Sequence, residues 1–180
     1  SHVVKVSQQI AEALKTKKKF HVVSIRSSVP PGTVLKIENI IADISGKIVD
    51  KDFSVLANPE FLREGSAVYD YYNPPYTLIG GNNKPAMELL ASLYSKVNAK
   101  VEYTDIQNAE LIKFVNNSFH ALKVSFANEI GNICSSLNID SHSFMELFLK
   151  DNKLNISKSY LKPGFAFGGS CLPKDLTALE

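Results

Sequence analysis

An α/β fold, a parallel sheet with crossover helices followed by an all-helical second part, is predicted by three observations on this 180-residue chain. Short β-branched runs alternate with amphipathic helical stretches through roughly the first hundred residues. Gly- and Pro-rich clusters, Val29-Pro30-Pro31-Gly32 and Gly80-Gly81, punctuate them. From Thr104-Asp105 onward the strand pattern stops and one helical periodicity takes over.

The elements follow in order. Residues 3–14 have helical spacing, with Val6, Ile10 and Leu14 on one side. The run 21–25 is a β-branched strand ending at Arg26-Ser27-Ser28. The turn at 29–32 leads to a helix over 33–44 carrying Leu35, Ile37, Ile40 and Ile41. Residues 53–57 read as a buried strand and 76–79 as a third, closed by Gly80-Gly81. A helix over 84–96 precedes a fourth strand at 100–103. Strands alternating with such helices predict a parallel sheet. The helix from 104 to 137 contains no Pro, and only Gly131 weakens it. Ile112, Val115, Phe119, Leu122, Phe126, Ile130 and Ile133 recur along it every three or four residues. At 1.5 Å per residue it reaches about 45 Å, enough to link two domains or to pair with a symmetry mate. Asp140 is placed to cap a further helix over 143–149, and a polar stretch at 150–158 leads into a Gly-rich loop.

Composition narrows the function classes. The chain is 44% hydrophobic and 21% charged with a formal net charge of +2, which gives no reason to expect nucleic acid or a membrane surface as partner. Lys15, Lys17, Lys18 and Lys19 read as the solvated end of a helix. No apolar run approaches the roughly 18 residues of a spanning helix. The two cysteines, Cys134 and Cys171, make no disulfide framework, which points to a reducing, cytoplasmic setting. Cys134 reads as a small core residue. No metal-ligand set is expected.

Chemistry concentrates in four places. In Gly168-Gly169-Ser170-Cys171-Leu172-Pro173-Lys174-Asp175, the glycines let the chain turn tightly and Pro173 suits the first turn of a helix. That helix's positive end and Lys174 favour a thiolate at Cys171, and Asp175 adds a carboxylate four positions on. The pattern suits covalent catalysis by the cysteine; an inert buried thiol in a Gly-rich turn is the alternative. Ser27 and Ser28, at a strand end, either form the turn or hold a ribose, a nicotinamide amide or a water. Glu60 and Glu64 share a face if their segment is helical, and Arg63 between them either neutralises them or leaves one for acid–base work. Lys113, Asn117, His120 and Asn128 lie along the long apolar helix, where a lysine and an asparagine suit developing negative charge on oxygen.

Together these segments resemble the nucleotide-sugar 6-dehydrogenases, the UDP-glucose and GDP-mannose dehydrogenase family. The similar text is RSSVPPGTV at 26–34, NPEFLREGSA at 58–67, ELIKFVNNSFHALKVSFANEIGNI at 110–133 and PGFAFGGSCLPKD at 163–175. DNKLNIS at 151–157, the cysteine loop and His120 resemble the GDP-mannose branch more than the UDP-glucose enzymes. The resemblance implies the second half of a Rossmann-type NAD-binding domain at 1–103. It also implies a helical central dimerisation domain at 104–180, with one long helix and the cysteine loop. It implies two NAD-dependent oxidations of a sugar C6 alcohol to a carboxylate, through a thiohemiacetal and thioester on Cys171. Lys113 and Asn117 would hold the oxyanion, and Asp175 with Ser28 would order water. Glu60 would assist acid–base steps, Glu64 would bind sugar or nicotinamide, and Lys174 would lie near the cofactor. His120, Asn128, Tyr160, Lys162, Phe165 and Gly168 would contact the nucleotide-sugar. A homodimer through the long helix is implied as well.

Three positions depart from the family pattern: Ser28 stands where Thr is usual, Lys162 where the GDP-mannose branch has Arg, and Ser159 where it has Tyr. Losing the Arg removes a planar fork for phosphate or sugar. No Gly-rich phosphate loop precedes His21, so the chain reads as the middle of a larger protein and is expected to be inactive alone. The substrate expected is GDP-mannose, giving GDP-mannuronate. UDP-glucose or a UDP-N-acetyl-hexosamine is the alternative, as is a non-catalytic dimerisation fragment. A one-step β-hydroxyacid dehydrogenase would leave Cys171 without a task.

Overall fold

Seven helices and four strands follow one another along the described residues: α1 (His2–Leu14), β1 (His21–Ile25), α2 (Thr33–Ser45), β2 (Phe53–Ala57), α3 (Ala67–Tyr72), β3 (Thr77–Gly80), α4 (Lys84–Ser92), β4 (Val101–Thr104), α5 (Ile106–Ser136), α6 (Ser141–Phe148) and α7 (Cys171–Leu179). The computed structural model describes residues 2–159, 161, 163–164 and 171–179. It divides into two compact units, 1–122 and 123–180, with the boundary inside α5.

In the first unit the strands form one sheet in the order β1-β2-β3-β4. β1 and β2 are parallel from His21↔Phe53 to Ile25↔Ala57, and β3 and β4 from Thr77↔Val101 to Gly80↔Thr104. β2 and β3 are antiparallel and meet at Ala57↔Gly80. The sheet is therefore mixed, against the all-parallel expectation. Its β2–β3 connection contains an irregular loop and the six-residue α3, with no long crossover helix to return the chain to the sheet's starting edge.

Alternate strand residues serve opposite faces. Val23, Phe53, Val55, Ala57 and Leu78 join one core with Val34, Ile37 and Ile41 of α2 and Ala11 and Leu14 of α1. Leu56 and Ile79 turn the other way, onto Ala86, Met87 and Leu90 of α4. In α1 the buried positions are Ser7, Ala11 and Leu14, whereas Val6, expected inside, is half exposed. Small side chains at 7 and 11 let α1 approach its neighbour closely, so the buried stripe follows size rather than hydrophobicity alone. Likewise Leu35 of α2 is exposed and Val34 takes its place in the core. α4 stops at Ser92, short of the expected 96; its N-cap Asn83 accepts from Ala86 N at 3.0 Å.

α5 is continuous over 31 residues. It starts where Asp105 accepts from Asn108 N at 2.8 Å. In the second unit Asp140 caps α6 as expected, accepting from His142 N and Ser143 N. Cys134 is buried there, again as expected. α7 begins at Cys171, so Pro173 falls in its first turn. Among the described residues no helix is long and apolar enough to cross a membrane.

Gly80 sets how near β3 approaches α5. A Cβ there would stand 2.8 Å from the Asp105 carbonyl oxygen and closer still to the buried Ala109 methyl. Gly80→Ala is expected to destabilise the first unit by about 1–3 kcal/mol, read as a lower urea midpoint.

Candidate functional site

Because β1 and β2 are parallel neighbours in register, the chain leaves both at the same sheet edge. The 26–32 loop and the 58–66 loop therefore flank one crevice, the place where α/β sheets bind ligands. The start of α5 packs beside it: Ser27, Ser28, Pro59, Glu110 and Lys113 line a single cleft.

The two loops are held from α5, one turn apart. Glu110 accepts from Gly32 N at 2.6 Å and from Val34 N at 2.7 Å. Lys113 Nζ lies 3.3 Å from Glu60 Oε1 and 5.9 Å from the centroid of the Phe61 ring. The lysine side chain is only 12% exposed, so its ammonium is held between a carboxylate and an aromatic face, partly removed from water. Glu60 is itself oriented by Leu62 N, which donates to Oε2 at 2.6 Å. Phe61 is braced edge-on against Tyr76, 5.1 Å between centroids.

The 58–66 segment is not helical: it is an irregular loop with turns near its end, and Gly65 has φ 84°. Glu60 and Glu64 are therefore not stacked on one face, and Glu64 sits in an exposed turn. Arg63 does not neutralise either of them. Its guanidinium donates from Nε and Nη2 to the two oxygens of Asp70, at 3.0 and 2.7 Å, and its backbone N–H donates to Oδ2 at 3.0 Å. Ser66 Oγ adds a fourth bond at 2.9 Å. The Arg63 hydrogen bonds hold the Asp70 carboxyl well below its ordinary value, with Ser66 assisting. At the loop's other end Asn58 is 1% exposed, donates to Leu78 O at 2.7 Å and accepts from Arg26 Nη1 at 2.9 Å. The Tyr94 hydroxyl bonds both Arg26 and Asn58, and burial pushes its pKa up.

Of the expected site residues, the first unit thus brings together Ser28, Glu60 and Lys113. Asn117 and His120 follow on later turns of α5 and are exposed. In the second unit Asn128 lines a groove with Gly131 of α5 and His142, Met145 and Leu149 on the α6 side. Lys174 is an exposed residue of α7. For Cys171 and Asp175 the backbone alone is described, one turn apart in α7. Tyr160, Lys162, Phe165 and Gly168 lie outside the described residues. Three contributors escape the sequence reading: Glu110, Asp70 and the Arg26–Tyr94 pair. Glu110 stands 78 and 76 positions from its two partners, so no local spacing announces it. Among the described residues no cluster of three or more His, Cys, Asp or Glu is arranged to hold a metal ion.

Comparison with known proteins divides the chain earlier, ahead of most of α5 rather than within it. Residues 1–98 match the family model described as UDP-glucose/GDP-mannose dehydrogenase family, NAD binding domain, and residues 107–180 match that family's central domain. The chain is 47% identical over 180 residues to a GDP-mannose 6-dehydrogenase of Azotobacter vinelandii, covering 99% of this chain and 41% of that protein. Its structure superposes on a ternary complex of GDP-mannose dehydrogenase from Pseudomonas aeruginosa with a TM-score of 0.96 at 45% identity, over 99% of this chain and 41% of that one. A UDP-glucose dehydrogenase from Pyrobaculum islandicum gives a TM-score of 0.79 at 36% identity, covering 98% of this chain and 40% of that one. The chain thus spans about two fifths of the length of the relatives it matches.

The Asp70 anchor gives a pH dependence. A carboxyl lowered in the folded state stabilises fully above its unfolded value, near 3.8, and loses that contribution as pH falls through the lowered folded value. The first unit is expected to lose stability below about pH 4, with Asp70→Asn less stable at neutral pH and less sensitive to acid. Melting temperatures measured from pH 7 to pH 2 check both.

Proposed function

Because the chain belongs to the UDP-glucose/GDP-mannose dehydrogenase family, we propose that the full-length protein is an NAD-dependent nucleotide-sugar 6-dehydrogenase, oxidising GDP-mannose to GDP-mannuronate. The substrate follows from the relatives named GDP-mannose 6-dehydrogenase. The observation that carries the chemistry is the Lys113–Glu60 pair, which presents an ammonium and a carboxylate on the crevice that Ser28 also lines. In this reading residues 1–103 complete the NAD-binding domain and 104–180 form the helical central domain.

The residues present suit NAD: hydroxyls at a strand end, facing a cleft with a cation, match a ribose or a carboxamide. When bound, two NAD molecules in turn accept the two hydrides that the C6 carbon gives up. Ser28, Glu64 and Lys174 are assigned to the cofactor side. The Cys171 thiolate adds to the aldehyde carbon and holds it as a thiohemiacetal, so the half-oxidised sugar is not released. Loss of the second hydride leaves a thioester. Water, ordered by Asp175 and Ser28, adds to that carbon and expels the thiolate, yielding the carboxylate. Lys113 and Asn117 stabilise the oxyanion at each addition, and Glu60 handles protons at the same carbon. Glu64, His120, Asn128, Tyr160, Lys162, Phe165 and Gly168 are assigned to the nucleotide-sugar. Start of α7 at Cys171 supports thiolate formation, since a helix N-terminus favours negative charge.

The protein is further proposed to be a cytoplasmic homodimer formed through α5. Val115, Phe119, Leu122 and Phe126 are 39–62% exposed along that helix, a series of large apolar side chains that a second copy would cover. Lys162 and Ser159, in place of the Arg and Tyr of the GDP-mannose branch, weaken the GDP-mannose assignment, so a UDP-sugar is the second reading.

Full-length protein is expected to form NADH with GDP-mannose faster than with UDP-glucose or UDP-N-acetyl sugars; no NADH with any of them would refute the assignment. Cys171→Ala should abolish acid formation while sugar binding persists, checked by product analysis and calorimetry. Lys113→Ala should lower kcat on the order of 10²-fold with little change in cofactor affinity. Light scattering should give a dimer at micromolar concentration.

A further inference from the structure

Glu110 is 4% exposed and lies on the crevice side of α5, yet the proposed chemistry gives it no task. Helix α2 needs it. Gly32, the N-cap of α2, has φ 89° and no side chain to bond the first turn. Four amides at a helix start lack intrahelical partners. Here two carboxylate oxygens from another helix satisfy those of Gly32 and Val34 at 2.6 and 2.7 Å, favoured by the positive end of α2. Immediately before this cap the chain is pinned again: Val29 is buried in the core, and Thr33 Oγ1 donates to Pro30 O at 2.6 Å. Ser27 and Ser28 are therefore exposed residues of a loop fixed at both ends. Lys113 stands three residues beyond Glu110, on the next turn of the same rigid helix.

We propose that Glu110 is a positioning residue: by docking the start of α2 onto α5, it sets the spacing between the Ser28 hydroxyl and the Lys113 ammonium across the crevice. The inference rests on the dehydrogenase reading above, in which both groups act at the same carbon. It differs from ordinary stabilisation because the carboxylate holds one side of the site by the very helical turns that carry the other. A displacement near 1 Å at a reacting centre can cost about 10²-fold in rate, so a loosened loop should show in turnover rather than in binding.

The test uses the full-length protein with GDP-mannose and NAD, and compares wild type, Glu110→Gln, Glu110→Asp, Ser28→Ala and the Glu110→Gln/Ser28→Ala double variant. Glu110→Asp keeps the charge but shortens the reach by one carbon, and it serves if Glu110→Gln fails to fold. The expected result is that the folded Glu110 variants, checked by circular dichroism, lose about tenfold or more in kcat with the KM for GDP-mannose nearly unchanged. The double variant should be little worse than the poorer single one, since both changes remove the same correctly placed hydroxyl. Glu110 variants with a lowered melting temperature but kcat within about twofold of wild type would overturn the inference, as would losses that multiply in the double variant. Wild type that forms no NADH would instead overturn the dehydrogenase reading and this inference with it.

Discussion

A carboxylate withdrawn from water needs hydrogen-bond donors for its oxygens, and Glu110 finds them on the backbone of a helix more than seventy residues away. That interaction and the Lys113–Glu60 pair leave the same stretch of α5 in different directions, one toward the 26–34 loop and the other toward 58–66. Loops at the ends of parallel strands are otherwise the least constrained parts of such a sheet. Here each is fastened to a single rigid rod, so the crevice has a defined width before any ligand enters. The close approach of Gly80 to Ala109 seats that rod on the sheet.

Charges in the crevice are paired by reach rather than by sequence proximity. Arg63 turns away from Glu60 and Glu64 to fork onto Asp70, which ties the far end of the 58–66 loop to α3. Glu60 is left to face Lys113. A bidentate guanidinium–carboxylate contact with two further donors is a directional anchor, so the loop's conformation does not depend on the pair that the chemistry would use. Asn58, fully buried and bonded to Leu78 O, anchors the other end. Glu60 thus faces Lys113 from a span fixed at both ends.

Much of this was legible in the residues themselves. β1 and β2 match their expected spans, β3 and β4 lie within a residue of theirs, and the change of character at Thr104-Asp105 marks the start of α5. The cap at Asp140 and the buried Cys134 followed from local rules. The reversed β2–β3 pairing did not, because strand direction depends on the path of the connection and not on the strand's own pattern. Glu60 and Glu64 have the spacing of one helical face, yet 58–66 is an irregular loop, because Pro59 and the left-handed Gly65 decide otherwise. In α1, Ser7 and Ala11 displace Val6 from the core because close helix packing rewards small side chains. Ser28, Glu60 and Lys113 were named from motif and placement, whereas Glu110 and Asp70 act through contacts that only the folded chain creates.

Amide hydrogen exchange in the full-length protein tests the central claim most directly. Gly32 and Val34 donate to Glu110, and Leu62 donates to Glu60, so these three loop and helix-start amides should exchange far more slowly than those of the exposed turn residues 64 and 65. Exchange at Gly32, Val34 and Leu62 as fast as in that turn would mean the two loops are not held from α5, and the crevice would have no fixed geometry on which to build the chemistry.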